Sequence, residues 1–317
     1  MSEPLRLTTL GEALIVMDPL SKGPLRHVGT FEKRLGGAEF NVAVGLSRLG
    51  HRVGWAGWLG DDEFGEEILA FARGEGVDVS QARLDSGGPT GLYFKEWRAL
   101  GRLRAYYYRA GSAASRMHSD GLDLEYLLSG EMLHLTGITA ALSDSCHNLT
   151  ERLISAANER GVTVSFDVNL RWLLFEGRDP REVLGPLAAR ADLLFLSDDE
   201  AKLLFGGSDP RTIRGVRGDL RADAVVVHGS GGAFAVEEGG VSEKTAYPVE
   251  VVDSVGAGDA FVAGFLSGRL RGWSMEDCLD MANACGACAV TVPGDLGGLP
   301  AAEEALALRR GRTVVER

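Results

Sequence analysis

Short apolar runs of β character alternate with stretches of helical spacing along most of the chain. RLTTLGEALIV (6–16), HRVGWAGWLG (51–60), MLHLTGI (132–138), VTVSFDVN (162–169), DLLFLS (192–197) and DAVVVHG (223–229) read as strands. AEFNVAVGLSRLG (38–50), SDSCHNLTERLISAANERG (143–161) and GDAFVAGFLSGRL (258–270) carry helical spacing. That alternation predicts an α/β layered sandwich around a mainly parallel sheet, in which ligands bind beyond the carboxyl ends of the strands.

TGLYFKEW (90–97) and RLRAYYYR (102–109) break the rhythm, being two alternating runs joined by the turn-like RALG with no helix between them. They predict a hairpin apart from the main sheet, either a flap over a site or one face of a small sheet. No internal repeat or low-complexity linker divides the sequence. One domain over 1–317 is expected, with lid strands near 14–34 and 90–109.

Composition narrows the classes. The 317 residues are 45% hydrophobic and 25% charged, as in ordinary globular chains, and the formal charge of −12 argues against a nucleic-acid or anionic-membrane partner. The N-terminus has no basic start followed by an apolar run, so a cytoplasmic location is expected. Four cysteines suggest no disulfide framework. CGAC (285–288) has metal-site spacing but lies in a small-residue helix pattern without a second pair, so buried helix-face thiols are expected. NLT (148–150) matches a glycosylation pattern that a cytoplasmic chain would not use.

DSVGAGDAFVAGFL (253–266) carries the most chemistry: Gly256, Ala257 and Gly258 precede a lone acid, Asp259, and then an apolar helix. Small residues let a ligand approach the backbone, and helix-start amides hold anions. Asp259 as a helix cap is the plain structural reading. GxxxxGK[ST] and the protein-kinase HRD and DFG motifs are absent, and GAGDAF lacks the third glycine of a dinucleotide fingerprint, which disfavours a dehydrogenase. Phosphoryl transfer through a different anion cradle fits: the amides stabilise the transferring group and Asp259 takes the proton of the attacking hydroxyl.

DSVGAGDAFVAGFL resembles the C-terminal signature of the ribokinase-like (PfkB) carbohydrate kinases, and GGAEFNVAVGLSRLG (36–50) resembles their N-terminal one. The resemblance spans nearly the whole chain. It implies a three-layer α/β/α fold with a small β lid, Asp259 as catalytic base, and Gly256, Ala257 and Gly258 as the anion hole. YYYRAGSAAS (106–115), HLTGITAALS (134–143) and FDVNLR (166–171) are most similar to the 2-keto-3-deoxygluconate kinases of that family. They imply a sugar-acid site from Gly36, Gly37, Asn41, Tyr93, Tyr107, Arg109, Ile138 and Arg171. Arginine forks suit a carboxylate, although Arg109 could be a strand-end charge and Arg171 a surface pair.

On the nucleotide side, VVVHGSGGAFAV (225–236) resembles the family's strand, glycine turn and strand, with Gly229 and Gly232 at the matching glycines; a plain hairpin would look the same. His228 follows Val227, where several relatives carry a basic residue. SDDE (197–200) lies where many members have Asn-x-x-Glu, with Ser197 in place of Asn and Glu200 retained; it also reads as a helix start. Asn283 falls in the helix bordering adenine in relatives. The resemblance implies ATP and Mg2+, with no direct protein ligand to the metal and Glu200 acting through water. Potassium dependence and the choice of sugar stereochemistry stay open. The expected product is the 6-phosphate of an Entner–Doudoroff type route, and the lid strands suggest a homo-oligomer. Fructokinase or ribokinase activity, or a non-catalytic sugar-acid or nucleotide sensor, are the alternatives.

Overall fold

The computed structural model describes residues 4–98 and 103–311. Its strands are β1 (Leu7–Leu10), β2 (Leu14–Pro19), β3 (Phe31–Gly36), β4 (Val53–Ala56), β5 (Trp58–Gly60), β6 (Arg83–Asp85), β7 (Leu92–Trp97), β8 (Leu103–Tyr108), β9 (Met132–Thr136), β10 (Thr163–Asp167), β11 (Leu193–Ser197), β12 (Ala224–Gly229), β13 (Gly232–Glu237) and β14 (Gly240–Thr245). The helices are α1 (Ala38–Arg48), α2 (Glu63–Gly74), α3 (Leu124–Leu127), α4 (Gly137–Ala141), α5 (Asp144–Arg160), α6 (Pro180–Ala188), α7 (Asp198–Phe205), α8 (Pro210–Arg217), α9 (Ala257–Leu270), α10 (Met275–Ala289) and α11 (Ala302–Arg309).

The main sheet runs β14-β13-β12-β11-β10-β9-β1-β4, parallel throughout except for the antiparallel edge of β12, β13 and β14. Parallel strands are buried on both faces, and β11 shows how. Leu193 and Phe195 pack with α1, α9 and α10 on one side, while Leu194 and Leu196 pack with α5, α6 and α8 on the other. Phe195 meets Phe265 of α9 edge-on at 5.1 Å. Each such buried side chain stabilises the fold by about 1.5–3 kcal/mol, and the two cores make three layers, α/β/α.

RLTTLGEALIV is two strands rather than one. β1 belongs to the main sheet, whereas β2 leaves it after Gly11–Ala13 and joins a second sheet, β3-β2-β7-β8. β7 and β8 pair antiparallel, Tyr93 opposite Tyr107, so the two aromatic runs form a hairpin within that smaller sheet. Of the turn RALG, residues 99–101 lie outside the described residues.

α9 is buried on nearly all sides, as its unbroken apolar composition requires. A Cβ on Gly264 would lie 2.8 Å from the Met281 carbonyl oxygen and 2.9 Å from Cys285 Sγ, so glycine is what lets α10 approach so closely. CGAC therefore sits on α10 as packing: Cys285 is buried against α9, and burial pushes the thiols of Cys278 and Cys288 up to about 11. Among the described residues no helix is long and apolar enough to cross a membrane.

Candidate active site

The carboxyl ends of β10, β11 and β12 and the start of α9 open into a cleft of about 530 Å³ beneath the lid, with Tyr93, Ala105 and Tyr107 as its lid wall. An inner chamber of about 70 Å³ adjoins it and shares Tyr93, Tyr107, Arg171, Val255, Gly256 and Asp259. Gly37, Asn41, Arg109 and Ile138, expected from the sequence to serve the same ligand, line this chamber as well. Gly36 does not. A Cβ there would lie 2.6 Å from Asp295 Oδ2, so Gly36 makes room for that carboxylate instead.

Asp259 stands in the first turn of α9 and does not cap it. The N-cap is Gly256, which has φ +80° and no side-chain capping bond. Only glycine suits this position, because a Cβ would also fall 2.7 Å from the Asp295 carbonyl oxygen. The Ala257 N–H turns back to the Ser254 carbonyl at 3.4 Å, while the N–H groups of Gly256, Gly258 and Asp259 meet no acceptor among the described residues. The free amides are thus those of Gly256, Gly258 and Asp259, while the Ala257 amide, the middle one of the expected trio, is bonded within the turn. Open amides at a helix start, lining a cleft, form a site for an anion.

The Asp259 carboxylate is buried and shared between two amides. Asn41 Nδ2 donates to Oδ2 at 2.7 Å and Asn169 Nδ2 donates to Oδ1 at 3.2 Å. Burial raises its pKa to about 6, against the lowering effect of the Asn41 bond and the Arg171 charge. A carboxylate near pH 6 is poised to accept a proton at neutral pH. Asn169 also donates to Asp167 Oδ2 at 2.9 Å, and its backbone holds φ +40°, a left-handed conformation unusual outside glycine. Asp167 is raised well above the carboxylate range, by burial first and then by Glu200 and Asp259.

The two arginines differ. Arg109 is buried, lies over the Tyr107 ring at 5.1 Å and is ion-paired to the buried Glu12, so its charge is already matched. Arg171 is exposed and makes no salt bridge among the described residues. The expected pair of carboxylate forks therefore reduces to one available cation.

On the side of β11 and β12, the cleft is lined by Ser197, Glu200, His228, Gly256 and Gly258. His228 stacks on Phe261 at 4.7 Å, and burial lowers its pKa, so it presents a neutral ring. Ser197 caps α7 in a capping box, and the Glu200 carboxylate accepts from the Ser197 N–H at 2.7 Å and the Leu170 N–H at 2.5 Å. Gly229, Gly232 and Asn283 lie outside this lining. The glycines pair across the β12–β13 hairpin, and Asn283 Nδ2 donates to the Lys244 and Thr245 carbonyls at 3.1 Å, tying α10 to β14. Sequence reasoning passed over Asn169 inside FDVNLR, and Glu12, Glu39 and Asp295, whose only signal was an isolated acid among glycines and apolar residues.

Residues 5–302 match the model of the pfkB family carbohydrate kinases. The chain belongs to that family. It is 38% identical over 302 residues to the 2-dehydro-3-deoxygluconokinase of Bacillus subtilis, covering 93% of each chain, and 37% identical over 304 residues to that of Thermoproteus tenax, covering 94% of this chain and 92% of the relative. Among solved structures, a putative ribokinase II from E. coli in complex with ATP and Mg2+ superposes with a TM-score of 0.90 at 25% identity, covering 97% of this chain and all of that one. The chain is accordingly a sugar kinase, and its fold is shared with solved kinases of the family.

Proposed function

We propose that this sugar kinase transfers the γ-phosphoryl group of ATP to the terminal hydroxyl of 2-keto-3-deoxygluconate, giving the 6-phosphate. One observation carries the reading: a buried carboxylate, Asp259, with a pKa near 6 stands beside three amides that meet no acceptor among the described residues, at the junction of the two chambers. The sugar occupies the inner chamber between Asn41, Tyr93, Tyr107 and Ile138, with its carboxylate toward Arg171. Asp259 removes the hydroxyl proton as the oxygen attacks phosphorus, and the amides of Gly256, Gly258 and Asp259 stabilise the charge on the transferring group.

ATP lies in the outer cleft along Ser197 and His228. Among the described residues no group of three or more His, Cys, Asp or Glu side chains is gathered to hold a metal, while the oxygen donors of Asp167, Asp199 and Glu200 border the cleft. Such a donor set suits Mg2+ carried by the nucleotide, with these carboxylates toward its water shell; the ion neutralises phosphate charge. The outer strands of the lid, β3 and β8, leave sheet edges on which a second copy of the chain would assemble.

The test is ADP release with MgATP against 2-keto-3-deoxygluconate, 2-keto-3-deoxygalactonate, fructose, ribose and adenosine. Turnover confined to the keto-deoxy acids, cut by orders of magnitude in Asp259→Asn, supports the assignment. Turnover on fructose or ribose keeps the kinase and removes the carboxylate site, whereas ligand-induced thermal stabilisation without ADP marks a sensor.

A further inference from the structure

Lys95 is fully buried, although its side chain ends in an ammonium. It lies on β7 two residues after Tyr93 and so on the same face of the strand, the face that Tyr93 turns to the substrate chamber. Its Nζ is 3.0 Å from Asp253 Oδ2, 3.5 Å from Asp295 Oδ1 and 3.9 Å from Asp18 Oδ2. A buried ammonium is tolerated only when paired in this way, and here the partners come from three separate segments. Asp18 is on β2, Asp253 opens the loop into α9, and Asp295 lies in the connection between α10 and α11.

Two of those partners shape the anion cradle. Asp253 Oδ1 accepts from the Val255 N–H at 3.1 Å and Oδ2 accepts from the Gly294 N–H at 3.1 Å, so one carboxylate folds the turn before Gly256 and ties it to the neighbouring connection. The carbonyl of Asp295 in turn backs Gly256 closely enough to exclude any Cβ there.

We propose that Lys95 is a positioning residue for phosphoryl transfer: its ammonium ties lid strand β7, which carries Tyr93, to the loop that presents the Gly256, Gly258 and Asp259 amides. The sugar wall and the phosphate cradle then share one buried ionic anchor. This rests on the phosphoryl-transfer reading above.

The test uses the full chain and whichever sugar the wild type phosphorylates. Lys95→Ala should lower kcat about 100-fold, the cost of roughly an ångström of misplacement. Added n-propylammonium should recover about tenfold of that loss by returning a cation to the site, while 1-propanol, which fills the same space without charge, should recover none. If Lys95→Ala does not accumulate folded, Lys95→Met, which keeps the volume of the stem, carries the same expected loss. A folded variant with kcat within about threefold of wild type, or equal recovery by amine and alcohol, overturns the anchor. Silence of the wild type on every sugar overturns the parent reading and this one together, whereas an active wild type with an unimpaired variant overturns this one alone.

Discussion

Asn41 and Asp259 join the first turns of α1 and α9 through a 2.7 Å hydrogen bond across 218 residues of sequence. The bond holds the Asp259 pKa down while burial pushes it up, and the balance falls near 6. A base must be ionised to work, so kcat/KM should rise through about pH 6 and level off above it. Asn41→Ala removes a lowering influence and should move that acid limb to higher pH, with a larger loss at pH 6.5 than at 8.5. An acid limb that stays in place in the variant would take the bond out of control of the base.

Arg171 and Arg109 should fail in different ways. Arg171 is exposed and has no acidic partner among the described residues, so Arg171→Ala should raise KM for the sugar acid by about 10- to 100-fold, the worth of one charged hydrogen-bonding contact, and leave KM for ATP nearly unchanged. It should also move the acid limb upward, because the guanidinium lowers the Asp259 pKa. Arg109→Ala strands the buried Glu12 carboxylate, which costs about 3–5 kcal/mol when a buried pair is broken, so thermal melting should fall first. Equal effects of Arg171→Ala on both substrates would reassign that arginine, and a melting temperature unchanged in Arg109→Ala would show Glu12 finding another partner.

What could be read without coordinates follows the range of each interaction. The strands β9 to β12 and the helices α1, α5 and α9 were legible because burial on one or both faces imposes a local period on the residues themselves. The break after β1 was not: Gly11 to Ala13 continue an apolar run, and only the departure of β2 into the second sheet shows that the chain changes partners. Glycines quoted for the cradle are visible because backbone conformation is a property of single residues. Glu12, by contrast, is one acid in GEALIV, and nothing local reveals that it meets Arg109 97 residues later and removes a cation from the ligand's reach. Asn283 is the opposite case: a polar residue on a buried helix can face a ligand or a backbone carbonyl, and β14, which supplies the carbonyls it bonds, was not among the strands read from the pattern.

Glu39 gives a prediction about stability rather than rate. Its carboxyl is wholly buried in the first turn of α1, with Oε1 accepting from the Thr136 and Thr139 hydroxyls at 2.7 and 2.6 Å and Oε2 without a partner among the described residues. Burial raises its pKa from 4.5 to about 7. The folded state therefore binds the proton more tightly than the unfolded chain. The stability this supplies is complete below about pH 4.5, declines as pH rises, and is lost once pH passes through about 7. Glu39→Gln is neutral at every pH and keeps that stability, so the variant should match wild type in acid and exceed it above pH 7 by about 3 kcal/mol, the worth of a shift of this size. Thermal melts at pH 5 and 8.5 measure the difference. A gap that stays constant between the two, or reverses, would show that Glu39 is ionised in the folded protein and held by a partner other than the threonines.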